Sequence, residues 1–443
     1  MDIYFAYGKT GHIFKTGTGI RCPMPKKPGP FRRFTGFRKD ARRMISAGLI
    51  DNMSFAINGF VLVLYLNALG YSNVVFGSLS LIMEVSHVIV LLASGLIADR
   101  FGRKKTILFG FALGTLGMMH FALFSSLPAF FMAAILLGAS SGFTGPAFSA
   151  FLSEKTTQKR RKYLFSLNSI VAHMGSGAIM LVGGFIPMLF ISYFGFTNEP
   201  AYRMIFMVAF LLKFVAIALM MQVKTDRPKK AVKGTNRTER KHWVMMTKFA
   251  IPQALTGIGA GVLIPYFPIY FKLRFELDLG TIGILFAMQA FVMAAITLYL
   301  PRMAEKRGSV MITAAFHGVS IIAMIMIPFT AWLFLVVILF VVRASLMNVP
   351  GPIMTSFMMS QLPHSLRATA QSYTGFAWML THAAGVFIGG FIWDTGDLLL
   401  PFLISTTLYI ISTASYILFF YKMDDAAHRP SFIWPLLKHF IRK

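Results

Sequence analysis

One cysteine, Cys22, in 443 residues leaves no partner for a disulfide within the chain. Acidic side chains are scarce as well: 16 Asp and Glu stand against 43 Lys and Arg. Charged residues of either sign make up 13% of the chain, about half of what a soluble protein carries. No phosphate-cradling loop of the G-x-x-x-x-G-K-S/T kind is present, so ATP is not the expected source of energy. No His/Cys group has metal-ligand spacing, so no metal and no cofactor are expected. Residues 1–43 have no apolar run of the kind a secretory leader carries. These gaps count against a disulfide scaffold, an ATPase and a metalloenzyme.

What the chain has instead is apolar surface. Hydrophobic residues reach 56% and mean hydropathy is +0.66, where about 45–50% apolar is usual for a soluble domain. They fall in runs of about 20 residues, the length that crosses a bilayer. Helices are the form expected, because lipid offers backbone groups no hydrogen bonds. The sequence predicts an all-α integral membrane protein of twelve helices, at roughly 44–69, 74–98, 106–125, 129–152, 163–190, 202–223, 248–272, 281–303, 309–328, 331–357, 368–393 and 398–422. Residues 1–43 form a basic tail, disordered over 1–30 and surface-hugging over 31–43. Residues 224–247 form a basic linker, and 423–443 a tail. In that last tail Leu436, Leu437, Phe440 and Ile441 share one face and Lys438 and Arg442 the other, which suits either a short interfacial helix or a frayed end.

The net charge of +27 is read as a lipid signal and not a nucleic-acid one, because of where it sits. Of the 43 Lys and Arg, 38 lie in the two tails and in the loops of one side. That asymmetry places both termini and the linker in the cytoplasm, with anionic lipid at the basic tails.

The chain also repeats itself. A shift of 206 residues lays PRMAEKRGS (301–309) on GLIADRFGR (95–103), Gly351-Pro352 on Gly145-Pro146, and GGFI (389–392) on GGFI (183–186). One ungapped offset serving three separated places indicates two six-helix halves of the same orientation, 44–223 and 248–422. Parallel repeats of this kind are a transporter architecture.

The stretch GLIADRFGRKK (95–105) carries five charges in eleven residues between two oily runs. It resembles the loop signature of the major facilitator superfamily, and the likeness covers about residues 44–422. The resemblance implies a monomer whose halves rock about a central small-molecule site, with this loop gripping the facing half in one state. Gly95 would let helices approach closely. Asp99 would accept from the N-terminus of helix eleven. Gly102 would allow the turn, and Arg100 and Arg103 would pair with acids, Glu154 among them. Glu305, Lys306 and Gly308 form the degenerate second copy. Two family features are missing: helix four has no early arginine (131–137 read FMAAILL), and helix five only partly matches the glycine- and proline-rich pattern of drug antiporters.

Ionisable groups inside a membrane are costly and are candidate sites by default. Asp51 in helix one, Glu84 in helix two and Arg343 in helix ten are the strong candidates. His87 shares a face with Glu84. Lys213 in helix six is read as a peripheral side chain that snorkels. In the family, helices one, four, seven and ten line the cavity, which adds Asn58 and Asn348 to the candidates. The expected function is secondary active transport of a small solute across the cell membrane, drug/metabolite antiporter-like and proton-coupled through Asp51 or Glu84. A uniporter or symporter for an anionic metabolite is the alternative. A non-transporting receptor or scaffold on the same fold stands as the second class.

Overall fold

The computed structural model describes residues 36–224, 240–363 and 366–423, without the side chains of 99, 158–159, 161–162, 297–307 and 368. The expectations for residues 1–35, most of the linker, and the amphipathic segment after 423 lie outside the described residues. Among the described residues there are twelve helices long and apolar enough to cross a membrane, and no strand.

The first half comprises α1 (Lys39–Ala68), α2 (Asn73–Phe101), α3 (Arg103–Leu123), α4 (Leu127–Glu154), α5 (Gln158–Phe194) and α6 (Asn198–Met221). The second comprises α7 (Arg240–Phe275), α8 (Leu279–Arg307), α9 (Ser309–Phe329), α10 (Leu333–Ser360), α11 (Arg367–Asp394) and α12, which starts at Leu400 and ends in a short 3₁₀ turn at Met423. Several helices start earlier than hydropathy suggests: α1 at Lys39, α5 at Gln158 and α7 at Arg240. Hydropathy marks where lipid ends. A helix continues through the polar interface as long as its backbone bonds close.

Two helices are broken at prolines. A 3₁₀ turn at Ile264–Tyr266 interrupts α7, and α10 breaks between Asn348 and Gly351 at Pro350. Proline removes a backbone donor and clashes with the preceding turn. At the second break, the Asn348 amide donates back to the Ala344 carbonyl at 2.8 Å.

Within the first half α2 and α3 pack on α4, and α1 on α6; within the second, α7 packs on α11 and α12. The halves meet along α2–α11 and α5–α8, with a smaller contact of α1 on the end of α7. The turns at Gly102 and Gly308 have φ of +94° and +82°, a region open to glycine and strained for other residues. They close the same α2–α3 and α8–α9 turns in the two halves, as the repeat requires.

Candidate functional site

The face of α2 that meets the second half is unevenly covered. Gly77 and Gly95 are 18 residues apart, five helical turns and roughly 27 Å, so they share a face. A Cβ on Gly77 would lie 2.9 Å from the Phe387 backbone of α11, while one on Gly95 would meet nothing within 4 Å. Gly375, toward the start of α11, likewise faces open space. Beside Gly95, Leu92 and Leu96 are about three-quarters exposed. Among the described residues, the halves are in contact at the end bearing residues 70–73 and, at Gly95 and Gly375, apart at the end bearing the signature loop.

A carboxylate latches the closed end. Asp394, the last residue of α11, accepts from the Asn73 backbone N–H at 2.8 Å, the Asn73 side-chain amide at 2.8 Å and the Val74 N–H at 3.3 Å. Those backbone donors belong to the first turn of α2, where they have no partner within the helix and carry partial positive charge. Asn67 of α1 donates to the Asn73 amide oxygen at 3.1 Å. The Tyr266 ring stacks on Trp393 at 5.7 Å and meets Phe76 edge-on at 5.3 Å. Asp394 is not among the candidates drawn from the sequence. The signal available was its position, since an acid at a helix C-terminus opposes its own helix dipole and needs a partner elsewhere.

At the open end, Arg103 donates to Glu154 at 2.5 Å, inside the first half. Arg100 is exposed and lies over the Phe101 ring at 5.6 Å. The side chains of Asp99, Glu305 and Lys306 are outside the described residues.

Between the halves lie adjoining cavities. One, of about 360 Å³, belongs to the second half and is the more polar of the first two, although most of its wall is apolar; Arg343, His317, Gln253 and Tyr409 line it. A second, of about 280 Å³, is largely apolar and spans both halves; Asn58, Met83, Glu84 and Phe286 line it. Ile264 and His382 line both. A third, of about 230 Å³, extends the polar cavity past Gln371 and Gly375.

The candidate residues separate into distinct environments. Arg343 lines the polar cavity at 2% exposure, with Nε and Nη1 unpartnered. Its guanidinium lies 5.2 Å from the Phe267 ring centre and beside the Tyr409 hydroxyl. Glu84 lines the apolar cavity; its Oε2 has no hydrogen bond, and His87 Nδ1 stands 3.7 Å away. No ion pair joins Glu84 to Arg343, although the two stand at similar depth by residue count. Asn58 touches the Met83 sulfur at 3.9 Å and leaves its own oxygen unpartnered. Asp51 lines none of these cavities. It receives a 2.5 Å hydrogen bond from Lys213 of α6. Lys213 therefore does not snorkel: a carboxylate inside the bundle is closer to it than the interface.

Comparison with known proteins agrees with this architecture. The family model described as Major Facilitator Superfamily matches residues 44–386. Multidrug resistance protein 2 of Bacillus subtilis is 30% identical over 156 residues, which cover 32% of this chain and 39% of that protein. The MFS-type transporter YqjV of the same organism is 26% identical over 312 residues, 65% of this chain and 73% of that protein. The first of these matches thus spans well under half of its relative. Among solved structures, a bacterial homologue of the human lysosomal transporter Spinster, in an inward-facing and unoccupied conformation, superposes with a TM-score of 0.70 at 12% identity, covering 88% of this chain and 97% of that one. At that identity the likeness is one of fold.

Proposed function

The chain belongs to the major facilitator superfamily, and from that premise we propose that it is a secondary transporter, moving a small solute across the cell membrane by alternating access. One observation carries the reading: α2 is latched to α11 at one end by Asp394 and bare at Gly95 at the other, with cavities between the halves. A receptor or scaffold needs no such one-sided gap. The distribution of Lys and Arg supports a cytoplasmic side for the bare end, both termini and the linker. The state described is then inward-facing, and the signature loop at Gly95, Asp99 and Arg100 is the latch of the opposite state.

Drug or metabolite antiport driven by protons is the first form of this reading. Glu84 is its coupling group, since it is the carboxylate that lines a cavity with an oxygen left unpartnered. Asp51 is already engaged by Lys213. Uniport or symport of an anionic metabolite is the second form, and the unpaired Arg343 favours it.

The test is uptake and efflux in proteoliposomes under an imposed pH gradient, screened across cationic, neutral and anionic solutes. At least one class should exchange. Asp99→Asn should slow that exchange, and Glu84→Gln should abolish pH-driven accumulation while sparing exchange at equal pH. Incorporated protein that exchanges no class would favour the receptor alternative.

A further inference from the structure

We propose that the solute is an amphipathic organic anion, its negative group held by Arg343 in the polar cavity and its apolar body lying in the adjoining one. The proposal rests on the transporter reading and specifies its substrate class.

A guanidinium stays protonated at any physiological pH, so Arg343 is a permanent positive charge at 2% exposure. Buried charges are normally paired. Among the described residues that line this cavity, none is an aspartate or glutamate. The nearest groups are neutral: the Tyr409 hydroxyl, the Phe267 ring, and the Ser320 hydroxyl, which donates at 2.9 Å to the Arg343 backbone carbonyl and not to its side chain. Nε and Nη1 remain without acceptors. An arginine presents its donors as a planar fork that fits the two oxygens of a carboxylate, sulfonate or phosphate. The fitting partner is an anion, and among the described residues no carboxylate supplies it.

The neighbouring carboxylates are not that partner. Asp51 is bound to Lys213. Glu84 sits in the adjoining cavity with its own unpartnered oxygen and no ion pair to Arg343. The fixed charge also works against a cationic solute in the polar cavity, despite the Trp378, Tyr409 and Tyr416 rings that line it.

The second part of the argument concerns size and surface. A small inorganic anion would leave most of about 360 Å³ unfilled. The cavity continues past Ile264 and His382 into about 280 Å³ lined by Leu62, Leu79, Met83 and Phe286 among others. An apolar body placed there loses contact with water, while its charged end stays at the guanidinium. Ligand pockets commonly combine a few converging polar groups with a broad apolar wall in this way.

The experiment measures binding without requiring transport. Purified protein in detergent is titrated with three probes of one shape: 1-naphthoate, its neutral analogue 1-naphthamide, and the cation 1-naphthylmethylammonium. The readout is thermal stability and its dissociation curve. The wild type alone gives a decisive answer: 1-naphthoate should raise the melting temperature saturably, and the other two should not. Stabilisation by the cation, or equal stabilisation by amide and carboxylate, would overturn the proposal, as would no response to 1-naphthoate at millimolar concentration. Arg343→Gln should weaken 1-naphthoate binding about tenfold or more, the loss expected for a charge-assisted hydrogen bond. Arg343→Lys should fall between, because it keeps the charge and loses the fork. Unchanged affinity in Arg343→Gln would place the anion elsewhere and overturn the assignment. Counterflow of labelled 1-naphthoate in proteoliposomes then separates the two claims: binding without exchange would count against transport and leave the anion site standing.

Discussion

Lys213 in the first half and Arg343 in the second are long cations buried to the same degree, and the two are treated differently. Lys213 and Arg343 are both 2% exposed. Lys213 has Asp51 at 2.5 Å and the Phe111 ring at 5.9 Å. Arg343 has two unpartnered donors and lines a cavity. A buried charge with its counter-ion in place ties two helices together. A buried charge without one marks a place where the protein is incomplete by itself. The two acids differ in the same sense: Asp51 is engaged within the first half, and Glu84 faces a cavity between the halves. The difference separates a pair engaged with each other from two groups left with unpartnered atoms at cavities.

The largest effect that would sharpen this contrast is on stability. Asp51→Asn should destabilise the protein by about 3 kcal/mol, because it leaves Lys213 buried with no counter-ion. Lys213→Met should cost less, because Asp51 keeps part of its exposure to water. The double change Asp51→Asn with Lys213→Met should recover most of the loss. Melting temperatures of the four proteins give the cycle; additive losses would show that the pair does not couple, and the contrast with Arg343 would fail.

Next in size is the behaviour of the unpaired groups. Arg343→Gln should leave the melting temperature unchanged or raised in the absence of ligand, since it removes an uncompensated buried charge, yet it should abolish transport. Glu84→Gln should combine with it additively, to within about 0.5 kcal/mol, because the two do not touch. A large non-additive term would reveal a contact that the open state does not contain, and would make the two cations alike.

The smallest change in stability, and the sharpest in conformation, is expected at the ends. Asp394→Asn weakens charge-assisted hydrogen bonds to Asn73 and Val74, worth about 1.4 kcal/mol or tenfold in the balance of states. Ser80 lines the apolar cavity. In a Cys22→Ser background, a cysteine at Ser80 should then react about tenfold faster with an impermeant thiol reagent applied at the latched end. Asp99→Asn should move the same reactivity the opposite way. Equal rates in all three proteins would remove the latch role from both acids.

The fold was legible because lipid imposes a simple rule. A helix must keep its backbone bonds inside itself, so twelve apolar runs read directly as twelve helices. The 206-residue offset gave the two halves, and GLIADRFGRKK gave the family. The helix ends were less legible, because the turns at Lys39, Gln158 and Arg240 are held by backbone bonds and leave no mark in hydropathy. The arginine at 343 and the acids at 51 and 84 stood out by charge alone. Their roles did not, since a charge in an apolar run looks the same whether or not a partner faces it from a helix more than a hundred residues away.

The sequence by itself determined the membrane, the number of helices, the repeat and the side on which basic charge collects. These follow from composition and periodicity, which are local properties of the chain. Only the tertiary structure decided that Lys213 answers Asp51, that Asp394 caps α2, that Gly95 faces open space, and that Arg343 is left without a carboxylate. Those outcomes depend on which helix faces which. Contacts across 160 or 320 residues, such as Asp51 to Lys213 and Asn73 to Asp394, have no signature in the linear order of the chain.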